Sequence, residues 1–96
     1  MPVDGRISIE DIGALEQFRS HLIDFNRELA ESFARMRGHW RDLGNIWHDG
    51  MYDRFGTALA EGSAGVDRYL AATEGHEAYL SELIARMHAV AELGGP

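Results

Sequence analysis

Apolar residues recur in steps of three and four along the first half of the chain, which predicts an amphipathic helix. Ser8 followed by Asp11 forms a capping-box pattern, with Ile7 placed against Ile12 as a hydrophobic staple. These features predict a first helix over about residues 9–44. Its apolar stripe comprises Leu15, Phe18, Leu22, Phe25, Leu29, Phe33, Met36, Trp40, Leu43 and Trp47.

The second half has a regular heptad pattern over about residues 49–92, which is typical of helix–helix packing. One row is Tyr52, Leu59, Val66, Thr73, Leu80 and Met87, and the other is Phe55, Gly62, Tyr69, His76, Leu83 and Val90. Each interior glycine costs about 1 kcal/mol relative to Ala. Glycines at 56, 62, 65 and 75 either let a facing helix approach closely or break the helix near Gly62–Gly65 or Gly75. The unbroken heptad phase favours a single helix.

A short hinge separates the two predicted helices. Asp49 is placed to cap the start of the second helix, and Gly44-Asn45 tolerates the left-handed backbone that closes the first. So short a connection forces the helices to fold back antiparallel. The apolar plug of the bend is predicted to be Trp47, with Phe55 as its neighbour. The hinge motif is therefore Trp47, Asp49, Gly50 and Phe55.

The predicted fold class is all-α, an antiparallel two-helix hairpin formed by one domain over residues 1–96. Proline occurs only at positions 2 and 96, so nothing in between carries the strongest helix breaker. Residues 1–7 are predicted to be a flexible lead and residues 94–96 a frayed tail.

A single hairpin cannot cover every apolar residue on these helices, which predicts a dimer that forms a four-helix bundle. Burying one large apolar side chain contributes about 1.5–3 kcal/mol of stability. A monomer that leaves several of them exposed is therefore marginally stable or prone to association. The predicted helix interface comprises Leu15, Phe18, Leu22, Phe25, Leu29, Phe33, Met36, Trp40, Leu43, Tyr52, Leu59, Val66, Tyr69, Leu80, Leu83 and Met87.

Composition excludes several classes of function. With no cysteine, disulfides, thiolate metal sites and a cysteine nucleophile are excluded, while secreted and cytoplasmic settings stay open. Nine basic residues, all Arg, stand against sixteen acidic ones for a net charge of −7, which disfavours nucleic acid as a partner. Residues 49–96 are the more acidic half, with eight acids and three Arg.

Targeting features are also absent from the sequence pattern. No apolar run approaches the roughly 20 residues of a membrane span, and the N-terminal residues lack the pattern of a signal peptide. We therefore expect no membrane span. The expected location is the cytoplasm, or the exterior by a route independent of a signal peptide.

The five histidines do not form a recognised metal motif. None stands three residues after a Glu, and His76-Glu77 is followed by Leu80 where a second ligand is required. We expect His76 to pack on the apolar seam. The polar residues around the hinge are predicted to be a solvated turn rather than an acid/base or metal cluster; they are His39, Asp42, His48, Asp49 and Asp53.

No nucleophile, phosphate loop or paired buried carboxylates accompany these residues, so no catalytic residue, cofactor or metal is predicted. Trp40 and Trp47 are interpreted as core residues, the alternative being an exposed recognition patch. The Arg-rich stretch 35–41 is interpreted as a salt-bridged solvent face rather than a nucleic-acid patch.

With the hinge and both helices placed, the chain resembles the Trp-X-Gly (WXG) family of helical hairpins exported by type VII (ESX-like) secretion systems. Trp47 lies mid-chain at the bend, and Phe55 occupies the aromatic position eight residues later. At the third motif position Asp49 replaces Gly, and Gly50 follows, which makes this a Trp-X-Asp variant. The resemblance covers the whole chain in architecture and a few residues in motif.

The family's C-terminal export pattern is Tyr followed four residues later by Asp or Glu. Here Tyr69 is followed by Thr73, and Tyr79 by Leu83. The resemblance implies a homodimer or heterodimer with a similar hairpin, and a secretion ATPase or an effector as a further partner. It implies a non-enzymatic role as secreted substrate, substrate partner or adaptor. An intracellular scaffold without export, and a small metal-binding bundle, stay open as alternatives.

Overall fold

The fold is an all-α antiparallel two-helix hairpin. A computed structural model describes residues 8–93, in which α1 spans Ile9–Leu43 and α2 spans Gly50–Leu93. No strand occurs within these described residues. Both helices end within one residue of the predicted bounds. The predicted lead over residues 1–7 and tail over 94–96 lie outside the described range.

The start of α1 is fixed by the predicted capping box. The Asp11 amide donates to Ser8 Oγ at 3.0 Å, and the Ser8 amide donates to Asp11 Oδ2 at 3.3 Å. Two otherwise unpaired backbone donors are thereby satisfied. Ile12 follows in the core at 2% exposure. Its predicted staple partner, Ile7, lies outside the described residues.

Helix α2 continues without a break through all its interior glycines, as the heptad phase predicts. Two of the glycines face bulky aromatic side chains of α1. A Cβ at Gly56 would overlap the ring of Trp40, and a Cβ at Gly62 would lie 3.2 Å from Phe33 Cε1. Around Gly75 there is open space instead. Close helix approach therefore explains two of these glycines and leaves Gly75 without a packing role.

The described residues form two compact units, a terminal unit of residues 8–24 with 74–93 and a hinge unit of residues Phe25–Thr73. In the terminal unit Ile12 and Ile84 are buried. Arg19 Nε donates to the Glu77 carbonyl oxygen at 3.2 Å. In the hinge unit the buried Asn26 amide nitrogen donates to Thr73 Oγ1 at 3.0 Å.

The second inward row of α2 lies one residue later than predicted, at positions 56, 63, 70, 77, 84 and 91, whereas the first row, from Tyr52 to Met87, faces inward as predicted. His76 is exposed and Glu77 is half-buried, while Ile84 is buried at 8% exposure and the predicted Leu83 only half-buried. Residues three and four positions apart both share a helix face, so the spacing alone does not decide which of the two candidate rows accompanies the first. The prediction that His76 packs on the seam is therefore wrong.

The predicted interface residues differ in how far the hairpin itself covers them. Tyr52 is buried at 9% exposure. Half-buried are Leu15, Leu22, Leu29, Phe33, Trp40, Leu59, Val66, Leu80, Leu83 and Met87. Exposed by 36–56% are Phe18, Phe25, Met36, Leu43 and Tyr69.

Candidate functional site

The hinge is a run of tight backbone turns after α1. The Gly44 amide donates to the carbonyl oxygen of Arg41 at 3.1 Å, and the Trp47 amide to that of Leu43 at 2.9 Å. Gly44 does not adopt the left-handed backbone that the sequence predicts. Glycine is required there for space, because a Cβ would lie 2.5 Å from the Tyr52 hydroxyl oxygen.

Asp49 caps α2, as predicted. Its Oδ1 accepts hydrogen bonds from the amides of Met51 and Tyr52, each at 3.0 Å. The pKa of Asp49 is lowered from its ordinary value of 3.8, first by a hydrogen bond from the Trp47 side chain and then by the Tyr52 amide. Each of these bonds favours the ionised carboxylate. In this Trp-X-Asp motif, the aspartate is thus bound to the tryptophan and to the helix that follows.

The lowered pKa predicts a pH dependence of stability. A carboxyl with a lowered pKa in the folded state contributes fully above the unfolded value and loses that contribution as pH falls through the folded value. We expect thermal melts of the wild type and Asp49→Asn to differ most above pH 4, and this difference to shrink at lower pH. Melting curves between pH 2.5 and 7 test this, with Asp53→Asn as a control. A difference that is constant with pH contradicts the prediction.

An aromatic cluster of Trp40, Tyr52 and Trp47 fills the bend. The rings of Trp40 and Tyr52 stack at 4.5 Å with an interplanar angle of 8°, and Trp47 meets Tyr52 edge-on at 5.3 Å. Trp40 Nε1 donates to the Tyr52 carbonyl oxygen at 3.2 Å, and the Tyr52 hydroxyl donates to that of Trp40 at 2.9 Å. This reciprocal pair joins the two helices beside the hinge.

The composition of this cluster differs from the sequence prediction. Tyr52 is the aromatic neighbour of Trp47, whereas Phe55, expected in that place, is 44% exposed. Both tryptophans are half-buried. Gly50 begins α2 in open space. The central role of Tyr52 was missed, although Gly44, where a Cβ would meet the Tyr52 hydroxyl, is a sequence signal for a bulky neighbour.

A second feature is the exposure of large apolar side chains in both units. Phe18 is 56% exposed, and Phe25 is 53% exposed although its ring meets Tyr69 edge-on at 6.2 Å. Around the bend, Ile46 is 83% and Met51 57% exposed. Isolated apolar residues on a surface are ordinary, but the number of large apolar side chains exposed here is high for so small a core.

The Arg-rich stretch does not form the predicted salt-bridged face. Arg37 donates to the Ser63 hydroxyl, and Arg35 Nη2 donates to Ser32 Oγ at 3.2 Å. Neither Arg37 nor Arg41 forms a salt bridge with a carboxylate of residues 8–93. Two cations one helical turn apart are therefore left without an acidic partner in this part of the chain.

The hinge histidines, His39 and His48, are exposed, and the ring of His48 lies 6.3 Å from that of Tyr52. Across residues 8–93, no three His, Cys, Asp or Glu side chains converge in a way that would hold a metal ion. His88 Nε2 and Glu16 Oε2 approach to 3.6 Å with both side chains about half exposed. The described residues thus present a packed aromatic hinge and a set of exposed apolar side chains.

Comparisons with protein-family models, curated proteins and solved structures found no match. Neither α1 nor α2 contains a stretch long and apolar enough to cross a membrane, as far as residues 8–93 are concerned.

Proposed function

We propose that this chain is a non-enzymatic protein–protein interaction module that pairs with a second hairpin to form a four-helix bundle. The observation that carries the proposal is the exposure of large apolar side chains along both helices, against three buried apolar residues among those described. These three are Ile12, Tyr52 and Ile84. So small a core is a weak basis for an independent domain of this length.

The energetic argument concerns the residues that a second hairpin would cover. Phe18 and Phe25 lie one heptad apart on α1 and are each more than half exposed. Complete burial of a side chain of this size contributes about 1.5–3 kcal/mol. Several such residues on each chain supply the apolar surface that a stable dimer requires.

The resemblance to WXG hairpins supports a role as secreted substrate, substrate partner or adaptor in a type VII-like system. What supports it here is Trp47 at the bend of a two-helix hairpin, with an aromatic residue eight positions later. The replacement of Gly by Asp49 is compatible with this hinge, because the carboxylate caps α2. Release of the chain into the medium by a host that carries such a system, and its retention when the secretion ATPase is deleted, would support export.

Sedimentation equilibrium at micromolar concentration tests the pairing directly. We expect a dimer, and we expect the Phe18→Ser/Phe25→Ser variant to dissociate at least about 100-fold more readily, because two apolar contacts per chain are lost. Tyr79→Ser is the matched control, since this exposed aromatic residue lies outside both heptad rows. A folded wild-type monomer contradicts self-pairing, and equal effects of both changes contradict the proposed surface.

A further inference from the structure

A small pocket lies in the hinge unit between α1 and α2. Its volume is about 180 Å³. This is below the roughly 300–1,000 Å³ of pockets that hold drug-sized molecules, so it suits a side chain better than a cofactor. The pocket is lined by Arg37, Trp40, Arg41, Gly56, Leu59 and Ala60.

The interior of the pocket is mostly apolar, and its shape depends on the aromatic hinge. Leu59 and Trp40 are half-buried, and the Trp40 ring lies where a Cβ of residue 56 would be. Because Trp40 is held by stacking on Tyr52 and by the bond from its indole nitrogen, this wall is formed before any ligand arrives. A preformed apolar site loses less conformational entropy when it binds a side chain than a mobile site does.

Two guanidinium groups line the same pocket. Arg37 is held across the hairpin by its bond to the Ser63 hydroxyl. Arg41 stands in the last turn of α1, where the helix dipole favours a cation. Neither has a carboxylate partner in residues 8–93, although the chain carries a net charge of −7. Among the residues that line the pocket, the charged ones are therefore both cations.

We propose that this pocket is a docking site for an acidic peptide segment of a partner protein, with an aliphatic side chain in the pocket and a flanking Asp or Glu on the arginines. Arg binds carboxylates through paired, charge-assisted hydrogen bonds. Arg and Trp are also the residue types that dominate binding energy at interfaces. Nucleic acid is disfavoured as the occupant, because the net charge of −7 repels a polyanion along its whole length, whereas a peptide segment places only one or two carboxylates, at the arginines.

The site is formed by residues of the hinge unit alone, so it does not depend on the proposed pairing of two hairpins. The probe is a ten-residue peptide, acetylated and amidated, with one Leu between two Glu on a background of Ala and Gln. Two control peptides carry Gln for both Glu, or Ser for Leu. Binding is followed through the indole N–H resonance of Trp40 in NMR spectra at physiological salt, assigned with Trp47→Phe.

We expect the acidic peptide to shift the Trp40 resonance saturably, and each control peptide to bind at least tenfold more weakly. The double variant Arg37→Gln/Arg41→Gln should lose affinity to the same extent while remaining folded, as checked by circular dichroism. Arg68→Gln is the matched control, because this exposed arginine of α2 does not line the pocket. Its affinity should equal that of the wild type.

Three outcomes would overturn the site: no shift at millimolar peptide, equal binding of the Gln peptide, or unchanged affinity in the double variant. Full competition by 4-methylpentanoate alone would also overturn it, since a small carboxylate would then be the ligand. Oligomeric mass is measured on the same samples. If the protein binds the peptide as a monomer, the pairing is refuted and the site is supported. If the protein is a dimer that does not bind the peptide, only the site is refuted.

Discussion

Replacing Tyr52 by Ala is expected to destabilise the protein by about 3–5 kcal/mol, the range observed for large aromatic residues truncated in cores. Tyr52 is buried at 9% exposure and contacts both Trp40 and Trp47. Its loss also removes the hydroxyl donor to the Trp40 carbonyl oxygen. Against a total stability of roughly 5–15 kcal/mol, this is a large share. Urea unfolding at a fixed protein concentration measures it.

Two control variants separate packing from polarity in this result. Tyr52→Phe keeps the stacked ring and loses one hydrogen bond, so we expect a cost of about 1 kcal/mol. His48→Ser, at an exposed neighbouring position, should leave stability nearly unchanged. If Tyr52→Ala unfolds at the same urea concentration as the wild type, the aromatic cluster does not hold the hinge together.

Alanine substitutions at Gly56 and Gly75 are expected to change stability in opposite directions. Both positions lie inside α2, so each gains about 1 kcal/mol of helix propensity. At Gly75 nothing opposes this gain, because no other atom lies near the added Cβ. At Gly56 the Cβ overlaps the Trp40 ring, and forced overpacking costs about 1–3 kcal/mol.

The difference between the two variants isolates the cost of overpacking, since the propensity gain is common to both. Thermal and urea unfolding of the pair, with helix content followed by circular dichroism, provide the measurement. Equal stabilisation by both substitutions would show that Trp40 can move away from Gly56 at no cost. The pocket beside Gly56 should change shape only in the Gly56 variant.

The helices and their starts were predictable because their determinants are local. Ser8 and Asp11 cap α1 across three residues, and Asp49 caps α2 through the next amides. The spacing of the apolar residues then predicts each helix over its full length. The same local reasoning correctly favoured one unbroken α2 despite its glycines.

The neighbours within the hinge were not predictable to the same degree. Tyr52 and Phe55 are three residues apart and share one side of α2, so periodicity alone does not choose which of them meets Trp47. The choice depends on the turns between Gly44 and Asp49, which no repeating pattern specifies. A similar limit explains His76, because periodicity alone does not choose between His76 and Glu77, which lie three and four residues after Thr73.

The pairing of Asn26 with Thr73 has a consequence for the alignment of the two helices. In most of the heptad row that contains Thr73, the corresponding residues are apolar, including Val66 and Leu80 one heptad away on either side. Sliding α2 by one heptad would place an aliphatic side chain opposite the Asn26 amide. A buried amide that loses its partner costs about 1–3 kcal/mol. This hydrogen bond therefore adds a penalty for a shifted register to the constraint already set by the short hinge and by the reciprocal bonds of Trp40 and Tyr52.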